Sequence, residues 1–351
     1  MRKHALPGEN GHSDWFDRLN QFEQQETRRQ VTFKRKRWPD LPDGVWAKKK
    51  GETYTYPHIL PDGDKSLYPG IAGQVIEYCH ASNIAVHSEF LNLRSSQACC
   101  FNVLFPLRLD LELARAALGP VLPHVGEVSK IEFEYTGPDD DGATEWLGEP
   151  AGGQRGQNRT SIDAAVWWTA GGRRLLTFIE WKYTERNYGI CGGYTSDGNK
   201  QKHLCKNLDV QSSSPSSTCY LTHGRNTRRY WDRLKDANID LLVFSGLKGC
   251  PFMGPFYQLM RQHLLAAYCR EHEGVDEVYV AAIGFSGNVS LHKLHADLRS
   301  LGATVEDAWN VCLQGVPPMT HVNVETIMDR LKVSPRADQA WLAYLDERYG
   351  L

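Results

Sequence analysis

Ser161-Ile162-Asp163-Ala164-Ala165-Val166-Trp167-Trp168 is followed, after Ala170-Gly171-Gly172, by Leu175-Leu176-Thr177-Phe178-Ile179-Glu180-Trp181-Lys182. Both halves are apolar and rich in aromatic and branched side chains, and Ala-Gly-Gly between them is a hairpin signal. Two strands are predicted, over 161–169 and 174–183. Side chains alternate along a strand, so Glu180 and Lys182 share a face that Leu176 and Phe178 continue in apolar form. A carboxylate and an ammonium at the end of an apolar strand are costly without partners. A divalent cation is one partner, with Asp163 of the preceding strand as second carboxylate and the Trp181 carbonyl as third ligand. A buried Glu–Lys ion pair is the alternative.

That set suits phosphodiester hydrolysis. The reaction needs a cation to neutralise phosphate charge and acidify a water. Mg²⁺ or Mn²⁺ takes few oxygen ligands from protein, which leaves room for both. Lys182 is placed to orient the water or to stabilise charge on the phosphoryl group.

Around this pair the chain reads as an α/β three-layer core. Ser95 and Ser96 form an N-cap signal before a helix carrying Gln97, Cys100, Phe101 and Leu104, and 109–118 is a second helical run. Residues 128–135 alternate, with Ile131, Phe133 and Tyr135 expected on one face. A Gly- and Asp-rich loop fills 137–158. After the hairpin, 187–222 is irregular, 227–238 is a polar helix and 239–244 a short strand. Residues 255–269 are a helix, 275–285 a buried strand, and the chain from 294 on is helical, Ser334-Pro335 opening the last helix. Three divisions follow: a polar, basic, Pro-rich arm over 1–70, a core over 71–290 with a Cys-rich insertion at 187–222, and a helical extension over 291–351.

Asp163 with Glu180-x-Lys182 resembles the bipartite motif of the PD-(D/E)XK nuclease superfamily. Thr160-Ser161-Ile162-Asp163-Ala164, Ile179-Glu180-Trp181-Lys182-Tyr183-Thr184-Glu185 and Ser95-Ser96-Gln97 with Phe101-Asn102 are similar to bacterial restriction endonucleases with a RecB-like core. The resemblance covers roughly 85–290 and departs at Ile162, where the motif has proline. It implies a restriction-endonuclease-like αβββαβ core, a mixed sheet flanked by helices, and Mg²⁺-dependent cleavage of DNA in anti-phage defence or repair. It also implies a supporting carboxylate on the first strand, Glu134 or Glu132, and a glutamine on the following helix, Gln258. An RNase of the same fold and a catalytically silent nucleic-acid-binding module are the rival readings.

Cys191, Cys205, Cys219 and Cys250 fall in or near the irregular segment. Four thiolates on Zn²⁺ or an iron–sulfur cluster would order a loop so poor in apolar residues. No Cys-x-x-Cys occurs, His203 and His223 compete as ligands, and scattered buried thiols are the alternative. Cys79, Cys99, Cys100, Cys269 and Cys312 lie in apolar helical contexts and are expected in the core.

The net charge of −2 excludes a uniformly basic coat. Basic residues still cluster. Arg28, Arg29, Lys34, Arg35, Lys36, Arg37 and 48–50 face only Asp40 and Asp43, and Arg225, Arg228, Arg229, Arg233 and Lys235 form a second run. Lys34 to Arg37 with Arg228, Arg229 and Arg233 are the candidate nucleic-acid contacts, with solvated surface as the alternative. No run spans a bilayer, and the start carries no apolar stretch behind its basic residues. Reduced thiols and a cytoplasmic location are therefore expected, and a homodimer is left open.

Overall fold

Gly171 and Gly172 take φ of 57° and 80°, the left-handed pair that a two-residue hairpin turn needs. They join β2 to β3 below, and the hairpin anchors the sheet. The computed structural model describes residues 2–3, 14–47, 53–86, 88–123, 126–138, 142–152, 154–155, 159–211, 214–223 and 227–351. The elements that position the site are, in chain order, α1 (Gln21–Arg37), α2 (Ser96–Leu109), α3 (Leu111–Leu118), β1 (Glu127–Tyr135), β2 (Ile162–Ala170), β3 (Arg173–Trp181), α4 (Phe256–His272), β4 (Glu277–Gly284), β5 (Thr320–Asn323), α5 (Val324–Lys332) and α6 (Gln339–Tyr349).

The five strands form one mixed sheet in the order β1-β2-β3-β4-β5. The first three are antiparallel, and β4 and β5 join in parallel. Strand alternation sends Val166, Trp168, Ile179 and Ile283 to one core, which α2, α3, α5 and α6 cover. Ala165, Trp167, Phe178 and Val280 face a second core beneath α4. The fold is thus the mixed α/β sheet flanked by helices that the sequence led us to expect.

Local chemistry explains the main elements. Ser95 caps α2, its side chain accepting from the Ala98 N–H at 3.3 Å. Asn20 and Glu23 form a reciprocal capping box at the start of α1. Gln30 of α1 donates to both the Tyr183 hydroxyl and the Arg348 carbonyl at 2.8 Å, tying α1 to the end of β3 and to α6.

Several expectations fail for identifiable reasons. Tyr135 does not share a face with Ile131 and Phe133, which lie in the first core while Tyr135 lies in the second. Glu134, between them, has φ of 47° and breaks the alternation. The strand expected over 239–244 is a 3₁₀ turn, Leu241–Phe244, because the Asp240 carboxylate accepts from the Leu242 N–H at 2.8 Å and closes a turn. The polar helix of 227–238 shrinks to Tyr230–Arg233, with Asn238 at φ 54°. β5 was read as helical; it follows Pro317-Pro318 and is four residues long, too short for a period to show. Asp338, not Ser334, caps the last helix, accepting from the Ala340 N–H at 2.8 Å.

Candidate active site

The hairpin register pairs Ala164 with Ile179, so one step on Asp163 lies across from Glu180. On the other side, Phe133 pairs with Ala164 and Tyr135 with Ile162, which leaves Glu134 beside Asp163. Three carboxylates from three neighbouring strands therefore stand in one row at the sheet's end. The sequence singled out Asp163 and Glu180, and the family resemblance implied Glu134 or Glu132.

Glu180 is buried, and its carboxylate is fully engaged. Oε1 accepts from Lys182 Nζ at 2.7 Å and from Gln258 Nε2 at 2.6 Å. Oε2 accepts from the Gln262 amide. The Gly189 N–H donates to Gln258 Oε1 at 2.6 Å, which turns the Gln258 amide nitrogen toward Glu180. Gln262 went unnoticed in the sequence. Its signal is the four-residue step from Gln258, which puts both amides on one face of α4. Its Oε1 is buried and has no hydrogen-bond partner among the described residues.

Asp163 Oδ2 accepts from the Trp181 N–H at 2.7 Å. Burial, then the charges of Glu180 and Glu134, push its carboxyl well above the usual range, against the opposing pull of Lys182 and the Trp181 N–H. Lys182 is buried too. Burial works against its charge, but Glu180, Glu185 and Asp163 outweigh that and raise its pKa. The site thus concentrates acidic oxygens around one buried ammonium, an arrangement that favours added positive charge.

Glu134 Oε1 accepts from Gln97 Nε2 at 2.7 Å and Oε2 from the Ser161 hydroxyl at 2.6 Å. Glu132 instead accepts from Trp167 Nε1 at 3.0 Å and pairs with Lys130, so Glu134 is the strand carboxylate that belongs to the site. The Gln97 amide also reaches the Ala85 carbonyl. The Trp181 carbonyl accepts from the Ser96 hydroxyl at 2.9 Å and keeps a second lone pair. Asn102 binds Tyr68, Ser66 and Tyr349 in the core, away from this row.

Cys191, Cys205 and Cys250 lie close together. The Cys250 N–H donates to the Cys205 carbonyl at 2.7 Å. Burial raises the Cys191 thiol to about 11; Cys219 and Cys205 add to the rise, and the backbone N–H groups of Tyr194 and Gly193 oppose it. Burial also raises the Cys205 and Cys250 thiols, and Cys219 adds to both shifts. The other five cysteines are buried, as expected of core thiols. Among the described residues, no group of three or more His, Cys, Asp or Glu side chains already stands in a set that could hold a metal ion.

The basic run on α1 divides. Lys34 is not a surface cation: it is buried, and its Nζ donates to the Pro42 and Ile59 carbonyls at 3.0 Å and to Asp43 at 3.1 Å. Burial accordingly lowers its pKa. A lysine so enclosed cannot reach a phosphate, and this corrects its place among the nucleic-acid contacts. Lys36 and Arg37 both pair with Glu347, and Arg35 is exposed. Arg229 is exposed, Arg228 is half-buried, and Arg233 lies over the Trp146 ring at 4.6 Å and pairs with Asp236. Residues 48–50 and Arg225 lie outside the described residues. No helix among the described residues is long and apolar enough to cross a membrane.

No curated protein and no solved structure matches the chain. A family model described as "Restriction Endonuclease associating with ARP" matches residues 35–350, nearly the whole sequence and every residue of the carboxylate row. The chain belongs to this family of restriction endonucleases.

Proposed function

We propose that the protein is a Mg²⁺- or Mn²⁺-dependent deoxyribonuclease acting in anti-phage defence or DNA repair, with Asp163, Glu180 and Lys182 at its catalytic centre. The observation that carries this reading is the row of Glu134, Asp163 and Glu180 with Lys182 buried beside it. The donor chemistry fits a hard cation: the oxygens are carboxylates and one backbone carbonyl, and they crowd negative charge that a single lysine neutralises. Asp163, Glu180 and the Trp181 carbonyl would hold the ion, which supplies Lewis acidity and a more acidic water.

The chain's own groups do the rest. Gln258 and Gln262 fix the Glu180 carboxylate in one orientation. Gln97 and Ser161 do the same for Glu134. Lys182 offers a buried positive charge to the phosphoryl oxygens or to the attacking water. The restriction-endonuclease family favours DNA over RNA as substrate.

The test is incubation of the protein with plasmid, linear DNA, single-stranded DNA and RNA in Mg²⁺, Mn²⁺ or EDTA. DNA cleavage with either cation and none in EDTA is expected. Cleavage of RNA alone would make the protein an RNase, and tight binding with no cleavage in either cation would make it a silent binding module.

At the cysteines the proposal carries a second metal. The four thiols have the softness that zinc or an iron–sulfur cluster prefers, and backbone N–H groups already face two of them. Elemental analysis of purified protein is expected to find about one zinc per chain, or iron with a visible absorbance. Protein free of both metals, however it is purified, would reduce the four cysteines to packing.

A further inference from the structure

A cavity of about 320 Å³ plays no part in the mechanism above. Rings line it: Trp15, Trp46, Tyr56 and His58. Arg18 and Arg94 supply its positive charge. Trp15 lies nearly parallel to His58, with ring centroids 5.3 Å apart and 22° between planes, and meets Tyr56 edge-on at 5.1 Å. His58 is 4% exposed, and its buried Nδ1 has no hydrogen-bond partner among the described residues.

Each feature suits a flat heterocycle joined to a phosphate. The volume is in the range of small-ligand sites. Aromatic faces stack any nucleobase, and guanidinium groups attract its phosphate. Burial, with Arg94 and Lys34 alongside, lowers the His58 pKa.

Two hydrogen bonds link the segments that line the cavity to the segment around Glu180 and Lys182. Ser96, two residues beyond Arg94, donates to the Trp181 carbonyl between Glu180 and Lys182. The Arg18 carbonyl accepts from Arg186, four residues beyond Lys182, at 2.7 Å.

We propose that the cavity bounded by Trp15, Trp46, Tyr56 and His58 receives an unstacked nucleobase of the substrate strand, with Arg18 and Arg94 on the adjoining phosphate. The proposal rests on the nuclease reading for the identity of the strand. Extruded bases are held in this way by stacking and edge contacts wherever a protein takes them out of a helix.

The test is fluorescence anisotropy of the full-length protein in EDTA, so that binding is read without cleavage. The probes are a short fluorescein-labelled single-stranded DNA, a fully abasic strand of the same length, and a free deoxynucleoside monophosphate as competitor. The base-bearing strand is expected to bind about tenfold more tightly than the abasic one. Trp15→Leu and, independently, Trp46→Leu should each remove most of that difference while circular dichroism stays that of the parent. Trp46 is half-exposed, so it serves if Trp15→Leu does not fold. Equal binding of the two strands by the parent protein, or an undiminished preference in both variants, would overturn the proposal. So would Trp-dependent competition by the free nucleotide without any preference between strands. Cleavage by the unmodified protein, measured separately in Mg²⁺, tells failure of this inference from failure of the nuclease reading.

Discussion

Glu180→Ala is expected to lower cleavage by about 10³-fold or more, roughly 4 kcal/mol of barrier. The residue meets three donors, from Lys182, Gln258 and Gln262, and stands across from Asp163. Removing it takes away a proposed cation ligand and leaves a buried ammonium without its partner. Lys182→Ala and Asp163→Ala are expected to fall as far in activity. They differ in stability. Lys182→Ala leaves the Glu180 carboxylate buried beside other acids, a loss of about 3–5 kcal/mol. Asp163→Ala removes one of the like charges that crowd the row and should cost less. Thermal melts alongside cleavage assays separate the two effects. Near-normal cleavage by a folded Glu180→Ala protein would end the assignment.

The second large effect is structural. Arg348 has no solvent exposure. Its guanidinium donates to the Ser66 carbonyl at 2.5 Å, the Tyr344 hydroxyl at 2.6 Å and the Leu93 carbonyl at 3.3 Å, and lies over the Tyr349 ring at 4.9 Å. One side chain of α6 thereby satisfies buried carbonyls from two distant segments. Arg348→Ala leaves those acceptors unpaired and opens a cavity, and should cost about 3–5 kcal/mol. The melting temperature would fall by roughly 4–7 °C. Lys36→Ala, which breaks an exposed pair with Glu347, should change little. An unchanged melt for Arg348→Ala would show that the buried network adds no net stability.

Legibility in the sequence followed the range of the interactions involved. The hairpin was readable because Gly171 and Gly172 are the residues that a tight two-residue turn demands, and the apolar runs on either side could only be buried strands. That local information also paired Asp163 with Glu180, since the register follows from the turn. Glu134 needed a resemblance to be singled out, because its place in the row depends on a left-handed backbone inside a strand. Lys34 was misread for the opposite reason. It sits in a basic run, and nothing nearby in the chain announces that Ile59, twenty-five residues on, will enclose it.

The sequence by itself determined the central hairpin, the shared face of Glu180 and Lys182, the N-cap of α2 and the burial of five cysteines. Each depends on alternation, a turn or a cap, and these act within a few residues. Only the tertiary structure decided that Gln262 as well as Gln258 reaches Glu180, that Gln97 and Ser161 hold Glu134, and that Lys34 turns inward. It alone brought Trp15, Tyr56 and His58 around one cavity. Such contacts join residues far apart in the chain, and their partners are chosen by packing of the whole core, which no local pattern encodes.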